Sequence, residues 1–257
     1  MTASPTQCEA CRDAQPLTFE FTMAFQPIIQ LSTGSIYAYE ALARGIDGSG
    51  AGSVFQHVNA DNQYKFDQTC RIKAVKLAAE LGIPCYLSIN FMPNAVYEPE
   101  RCIRTTLKAA NDYHFPLDQI LFEFTEGEEV LDYGHIQRII RYYRSQGFLT
   151  AIDDFGAGYS GLTALANIDT HMVKLDMALV RNIDTDVTKQ AIVRHSVAMC
   201  HELHRQIIAE GVETEAELQC LVGLGVDFFQ GYYIAKPGFE CLPEINQAPG
   251  LDAFHRQ

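Results

Sequence analysis

FTMAFQPIIQLSTGSIYAYEALAR, residues 21–44, decides the fold. Two apolar runs, 22–29 and 35–42, are separated by the turn Ser32-Thr33-Gly34-Ser35. A connection this tight joins antiparallel strands, whereas parallel partners need a crossover of a dozen residues or more. Further apolar runs lie at 85–91, 119–124, 149–153, 172–176, 206–210 and 227–234. They alternate with helix-patterned segments at 66–81, 99–113, 133–146, 160–166, 187–204 and 214–224, and such alternation predicts parallel strands joined by helices. The expected class is therefore α/β: a (β/α)8 TIM-like barrel with an antiparallel first strand. Residues 45–65 begin glycine-rich and predict a loop with a short helix near Val54–Val58.

A chain of 257 residues suffices for one large domain, and α/β barrels commonly fall near this length. With 47% hydrophobic and 20% charged residues the composition is that of an ordinary globular protein. No apolar run approaches the roughly 18 residues of a membrane span. The N-terminus MTASPTQCEACRDAQ lacks the basic start and apolar core of a secretory signal, so a cytoplasmic location is the expectation. A formal charge of -13 argues against broad affinity for nucleic acid polymers, which needs a basic footprint. A phosphate ligand remains compatible with that charge where metal ions locally invert the field.

Residues 1–16 are polar and without period, which reads as a mobile tail, leaving 17–257 as the folded domain. The tail holds a CxxC pair, Cys8 and Cys11, with no second pair nearby. Two readings stay open for it: a functionally silent tail, or metal or redox sensing shared across a dimer. The other cysteines are expected reduced, with Cys85 and Cys200 as small core residues. His135, His171, His195, His201 and His204 lack metal-ligand spacing and read as surface or helix-end groups. An apolar stripe of Ile192, Val197 and Leu203 is expected on the segment that carries His201.

Almost every predicted strand carries an ionisable or amide side chain at or near one end. These are Glu40, Asn90, Glu123, Asp153 with Asp154, Lys174, Glu210 and Gln230. In barrels of this class the carboxyl ends of the strands hold the active site. One such residue is as readily a solvent-facing group, but such groups on seven strands would each need a separate excuse for unpaired burial. Like charges repel at close range, and divalent cations are the usual resolution. An oxygen-rich donor set suits Mg²⁺ or Mn²⁺ better than zinc. Adjacent carboxylates such as Asp153 and Asp154 can reach two ions, and paired ions suit in-line displacement at phosphorus. Lys174 either holds a water or transition-state charge there, or forms a structural ion pair with Asp176; its inward-pointing strand favours the site. Phe155-Gly156-Ala157-Gly158 reads either as a plain strand-to-helix turn or as a mobile gating loop.

These segments resemble the EAL domain, the bacterial family of cyclic di-GMP phosphodiesterases, over roughly residues 20–240. The likeness rests on Phe25-Gln26-Pro27-Ile28, Glu40-Ala41-Leu42 with Arg44, Ser88-Ile89-Asn90 and Glu123-Phe124-Thr125-Glu126. It continues through Asp153-Asp154-Phe155-Gly156, Lys174-Leu175-Asp176, Glu210-Gly211-Val212-Glu213 and Gln230-Gly231-Tyr232, in the family's order. The resemblance implies a site with two Mg²⁺ or Mn²⁺ ions. Glu40, Asn90, Glu123 and Asp153 would hold the first, and Asp153 and Asp154 the second, with Asp153 bridging. It implies Glu210 as general base or as a ligand through water, and Lys174 beside the nucleophilic water. Gln26, Leu42, Arg44 and Gln230 would contact substrate, and Glu126 would anchor the glycine-containing loop. The product would be linear pGpG, and a homodimer is implied, its contacts near that loop. The rival reading is a cyclic di-GMP receptor or interaction module without catalysis, which typically lacks one of the acids or the lysine; all are present here. The segment Gly45–Gly50 departs from the longer family stretch with its His-Pro pair, which affects the substrate-covering region. No sensor or GGDEF partner domain is visible in the sequence, so control is expected from assembly, the tail or other proteins.

Overall fold

The computed structural model describes residues 16–93, 96, 98–125, 133–158 and 161–255. The tail pair Cys8 and Cys11, and Glu126, lie outside the described residues. Eight strands close into a barrel: β1 Phe21–Gln30, β2 Ser35–Gly45, β3 Tyr86–Asn90, β4 Ile120–Thr125, β5 Leu149–Phe155, β6 Met172–Leu175, β7 Gln206–Ala209 and β8 Phe228–Phe229. β1 runs antiparallel to both β2 and β8, and the pairs from β2 to β8 are parallel. The short turn after β1 thus sets the direction of one strand, as its length requires. A two-residue strand, β9 (Gly238–Phe239), adds to the edge of β1.

Around the barrel lie α1 Ala51–Phe55, α2 Gln63–Glu80, α3 Pro99–Cys102, α4 Arg104–Asp112, α5 Tyr133–Ser145, α6 Gly161–Asn167, α7 Met177–Val180, α8 Val187–Glu202 and α9 Glu215–Gly223. The helix expected over 99–113 is divided at Ile103, although the bonds Ile103 N to Pro99 O and Leu107 N to Ile103 O bridge the division. α7 was not foreseen; Asp176 caps it by accepting from Ala178 N at 2.8 Å. On α8 the buried stripe is Val193, Ser196, Val197 and Cys200, while Ile192 and Leu203 face outward. A helix buries positions three to four apart, and the expected residues did not keep that spacing. No disulfide joins the described cysteines; Cys200 is buried and Cys85 half-buried. His171 is half-buried rather than a surface group, its Nδ1 accepting from Thr150 N at 3.1 Å. Among the described residues no helix is long and apolar enough to cross a membrane.

Two apolar layers hold the barrel. The outer one packs strands against helices. The inner one fills the lumen with Ile28, Ala38, Leu121, Ala151, Met172, Ile208 and Phe228. Burying each large aliphatic or aromatic side chain contributes about 1.5–3 kcal/mol before entropy is counted. Side chains on a strand return to the same face every second residue. Two residues beyond this apolar layer therefore stand Glu40, Glu123, Asp153, Lys174, Glu210 and Gln230. On the reversed strand β1 the same step runs backward, from Ile28 to Gln26. The apolar layer closes the lumen beneath, so this polar layer becomes the floor of a cavity at the barrel mouth.

Three details of the strands differ from expectation. β2 extends to Gly45, which leaves Glu40 in mid-strand rather than near its end. β8 stops at Phe229 instead of reaching 234, although Gln230 N still donates to Ala209 O at 2.9 Å. The chain then turns because Gly231 lies against the backbone of Val212. The ladder between β5 and β6 slips between Ile152 and Phe155, whose partners are Val173 and Leu175. Asp153 and Asp154 together thus face the single residue Lys174.

Candidate metal and phosphate site

That slip answers a geometric difficulty. Neighbouring residues of a regular strand point to opposite faces, so an Asp-Asp pair could offer the lumen only one carboxylate. A bulge re-aims the second. Asp154 sits at φ 56°, in the left-handed region that aspartate tolerates better than most residues. Both carboxylates reach the mouth, and Asp154 N donates to Asp153 Oδ1 at 3.0 Å.

Lys174 is the hub. Its side chain is 1% exposed, and its Nζ lies 2.6 Å from Glu123 Oε2, 3.2 Å from Asp153 Oδ1 and 3.4 Å from Glu40 Oε2, with Glu210 Oε1 in contact as well. Asp176 is occupied as the cap of α7, so a private pair with Lys174 is not what forms. Asn90 Nδ2 donates to Glu40 Oε1 at 2.6 Å. Gln230 Nε2 donates to Glu40 Oε2 at 2.7 Å and to Gln26 Oε1 at 3.4 Å, while Gln26 Nε2 is held by Ala235 O at 3.0 Å. Ser88, whose role the sequence did not disclose, donates its hydroxyl to Glu123 Oε1.

One ammonium does not balance this many acids. Burial raises the Glu123 carboxyl to about 8, with Glu40 and Asp153 pushing in the same direction and Lys174 opposing. Burial also raises Asp153, aided by Glu40, and raises Glu210 well above the usual carboxylate range, aided by Asp153. Asp154 is pushed up to about 6 by burial and then by Asp153 and Asp176. Burial alone would depress the Lys174 ammonium, but Asp153, Glu123, Glu210 and Glu40 hold it well above its ordinary value. Ionised together, these acids call for additional positive charge.

The donor set fits a divalent cation on geometric grounds too. Carboxylate oxygens of Glu40, Glu123 and Asp153 lie within 4.8 Å of one another, as do those of Asp153, Asp154 and Glu210. The two triads share Asp153. Every member offers hard oxygen, which suits Mg²⁺, Mn²⁺ or Ca²⁺. Gln230 Oε1 is buried with no hydrogen-bond partner among the described residues, an acceptor left for a ligand.

The cavity above has a volume of 480 Å³ and is bounded by Gln26, Glu40, Asp153, Asp154, Lys174, Glu210 and Gln230. Asp176, Met177, Gly211, Glu213, Gly231 and Tyr232 complete its wall. From sequence Asp176 stood only as a candidate partner of Lys174 and Glu213 only within a motif, and Met177 was not singled out, since a residue just past a strand end has no period to mark it. Leu42 and Asn90 line a second, apolar cavity of 300 Å³ with Met23, Phe55 and Phe66. Arg44 is half-buried at the end of β2 and lines neither cavity; its Nη1 donates to Ala43 O at 2.7 Å.

The EAL domain profile matches residues 9–237. A standalone EAL protein from Vibrio cholerae, solved with cyclic di-GMP bound, is 56% identical, with a TM-score of 0.87 over 90% of this chain and 98% of its own. A manganese and cyclic di-GMP complex of BlrP1 from Klebsiella pneumoniae is 32% identical, with a TM-score of 0.83 over 90% of this chain and 60% of its own. The cyclic di-GMP phosphodiesterase RocR of Pseudomonas aeruginosa is 28% identical over 85% of this chain and 57% of its length. The chain spans 60% or less of the curated relatives it matches.

Proposed function

Since this chain belongs to the EAL domain family, we propose that it hydrolyses cyclic di-GMP to linear pGpG. The observation that carries this reading is the pair of carboxylate triads sharing Asp153, with Lys174 between them. Glu40, Asn90, Glu123 and Asp153 would hold one Mg²⁺ or Mn²⁺, and Asp153, Asp154 and Glu210 a second. When bound, such ions supply Lewis acidity, making water acidic and neutralising charge at phosphorus.

The chain's own groups do the rest. Glu210 takes one proton of the attacking water at a carboxylate oxygen; its raised affinity for protons suits a general base. Lys174 Nζ, fixed by its carboxylate neighbours, orients that water and faces the charge that develops on the phosphoryl oxygens. Water adds its oxygen to phosphorus as the bond to the 3′ oxygen breaks, and that oxygen takes up a proton from solvent while Glu210 later releases its own. Gln26, Leu42, Arg44 and Gln230 are the proposed substrate contacts. The unpartnered Oε1 of Gln230 supports a role as acceptor from a base or ribose donor. Glu126 is proposed to anchor the loop after β5. A homodimer is proposed as well, supported by the exposed apolar side chains Leu162 and Met177 close to that loop and the mouth.

The reading is tested by incubating the purified chain with cyclic di-GMP and Mn²⁺, with and without chelator, and resolving pGpG by chromatography. Product is expected only where metal is present, and Glu40→Ala should abolish it. Turnover that persists in Glu40→Ala, or in chelator, rejects the assignment. Retention of cyclic di-GMP without product would favour the receptor reading.

A further inference from the structure

Behind the barrel wall lies a buried ion pair that the chemistry above does not use. Arg71 is fully buried and Asp67 is 2% exposed, both on α2, one helical turn apart. Arg71 Nη2 donates to Asp67 Oδ2, and Nη1 donates to Tyr143 Oη on α5 at 3.2 Å. A buried pair of this kind is weak evidence for stability, because apolar residues of similar volume usually do as well. Its remaining bonds lead elsewhere. Asp67 Oδ1 accepts the backbone N–H of Met92 at 3.0 Å, two residues after Asn90. Tyr143 packs its ring on that of Phe91, with centroids 5.6 Å apart. Phe91 N, between them, is held by Glu123 O at 2.9 Å.

The exit of β3 is thus gripped at the Met92 amide by Asp67 and at the Phe91 ring by Tyr143, and one guanidinium binds both grips. We propose that Asp67, locked by Arg71, is a positioning residue that sets the backbone beyond Asn90 and so holds the Asn90 amide at the metal site. This deepens the proposed function and rests on it for the role of Asn90. The physical need is plain: Asn90 ends its strand, and a strand end without a second anchor frays. Loss of groups that orient metal ligands typically costs ten- to a hundred-fold in metal affinity.

The test is Mn²⁺ titration calorimetry of the full chain without substrate. Asp67→Leu with Arg71→Met removes both charges and the acceptor for Met92, and is expected to raise the Mn²⁺ dissociation constant about tenfold. Asp67→Asn with Arg71→Met also removes both charges but keeps an amide oxygen for Met92, and is expected to recover part of the loss, the remainder reporting the missing Arg71 lock. Equal weakening in both double variants, or wild-type affinity in the first at wild-type melting temperature, overturns the proposal. Hydrogen exchange of the metal-free wild-type chain gives a second check that needs no variant. Met92 N–H should be as protected as Phe91 N–H, and free exchange at Met92 would sink the inference. A wild-type chain that takes up no Mn²⁺ would instead reject the metal reading, and the role given to Asn90 with it.

Discussion

Replacing Lys174 by methionine removes the one ammonium from the floor of the mouth and keeps a side chain of similar length. In the metal-free protein it leaves Glu40, Glu123, Asp153 and Glu210 facing one another without a counter-charge. At an effective dielectric of about 20, each contact at 2.6–3.4 Å corresponds to about 5–6 kcal/mol of Coulomb attraction. Desolvation of the ammonium offsets most of that sum. Breaking a buried pair by removing one partner has a net cost of about 3–5 kcal/mol. For a chain of this size that is a fall of about 6–20 °C in melting temperature. The loss should depend on pH. Glu123 and Asp154 have native pKa values raised to about 8 and about 6. An acid shifted upward is protonated preferentially in the native state, so its contribution is present at low pH and is lost as pH rises through the native value. Without Lys174 those shifts grow, so the deficit in chelator should be small near pH 5 and large near pH 8. The assay is thermal denaturation followed by circular dichroism at both pH values, with chelator and then with Mn²⁺. Mn²⁺ should narrow the gap by restoring positive charge. A Lys174→Met chain melting within about 2 °C of wild type at pH 8 in chelator would refute the picture of an under-neutralised carboxylate cluster, since 3 kcal/mol would move it further.

Asp154→Asn keeps a side chain that tolerates φ 56°, so its melting temperature should stay near wild type while hydrolysis falls at least a hundredfold. An undiminished rate would argue against a second metal. Asp154→Ala should cost about 1 kcal/mol more in stability than the asparagine change, measured by urea denaturation, because alanine strains in that backbone region. Gly231→Ala would set a Cβ 2.1 Å from the carbonyl oxygen of Val212, and the forced shift should cost about 1–3 kcal/mol and displace Gln230. Wild-type stability and substrate affinity in that variant would show the turn to be softer than its geometry suggests. Mn²⁺ at a hundred times its dissociation constant should stabilise the wild-type chain by about 2.7 kcal/mol. The apparent affinity should strengthen from pH 6 to pH 8, because Asp154 and Glu123 must shed protons to coordinate. An affinity that is flat over this range would mean these acids are already ionised without metal.

Much of this protein was legible in its sequence. Glu40, Glu123, Asp153, Lys174, Glu210 and Gln230 each fall at or near the end of an apolar strand run, which put them at one end of the barrel. The turn at Ser32–Ser35 reversed β1, since four residues leave no room for a crossover. The donor types, all hard oxygen with one ammonium, already pointed to divalent metal and phosphate. These are consequences of local period, short-range chain reach and side-chain chemistry, and a linear string carries all three.

What only the tertiary structure decided are relations between residues far apart in the chain. The same string reads equally well with one aspartate of the 153–154 pair facing outward; the slip against β6 and the left-handed backbone of Asp154 turn both inward. Lys174 had a sequence neighbour, Asp176, as a plausible partner, and packing gave it four acids from other strands instead. Leu42 and Arg44 stand two residues apart on β2, yet Leu42 lines the apolar cavity and Arg44 ends on the carbonyl of Ala43. The knot of Asp67, Arg71 and Tyr143 left no sign beyond a charged pair one turn apart on α2. Such contacts depend on how strands register and helices dock, which is settled by packing the whole core at once and not by the preferences of any one segment.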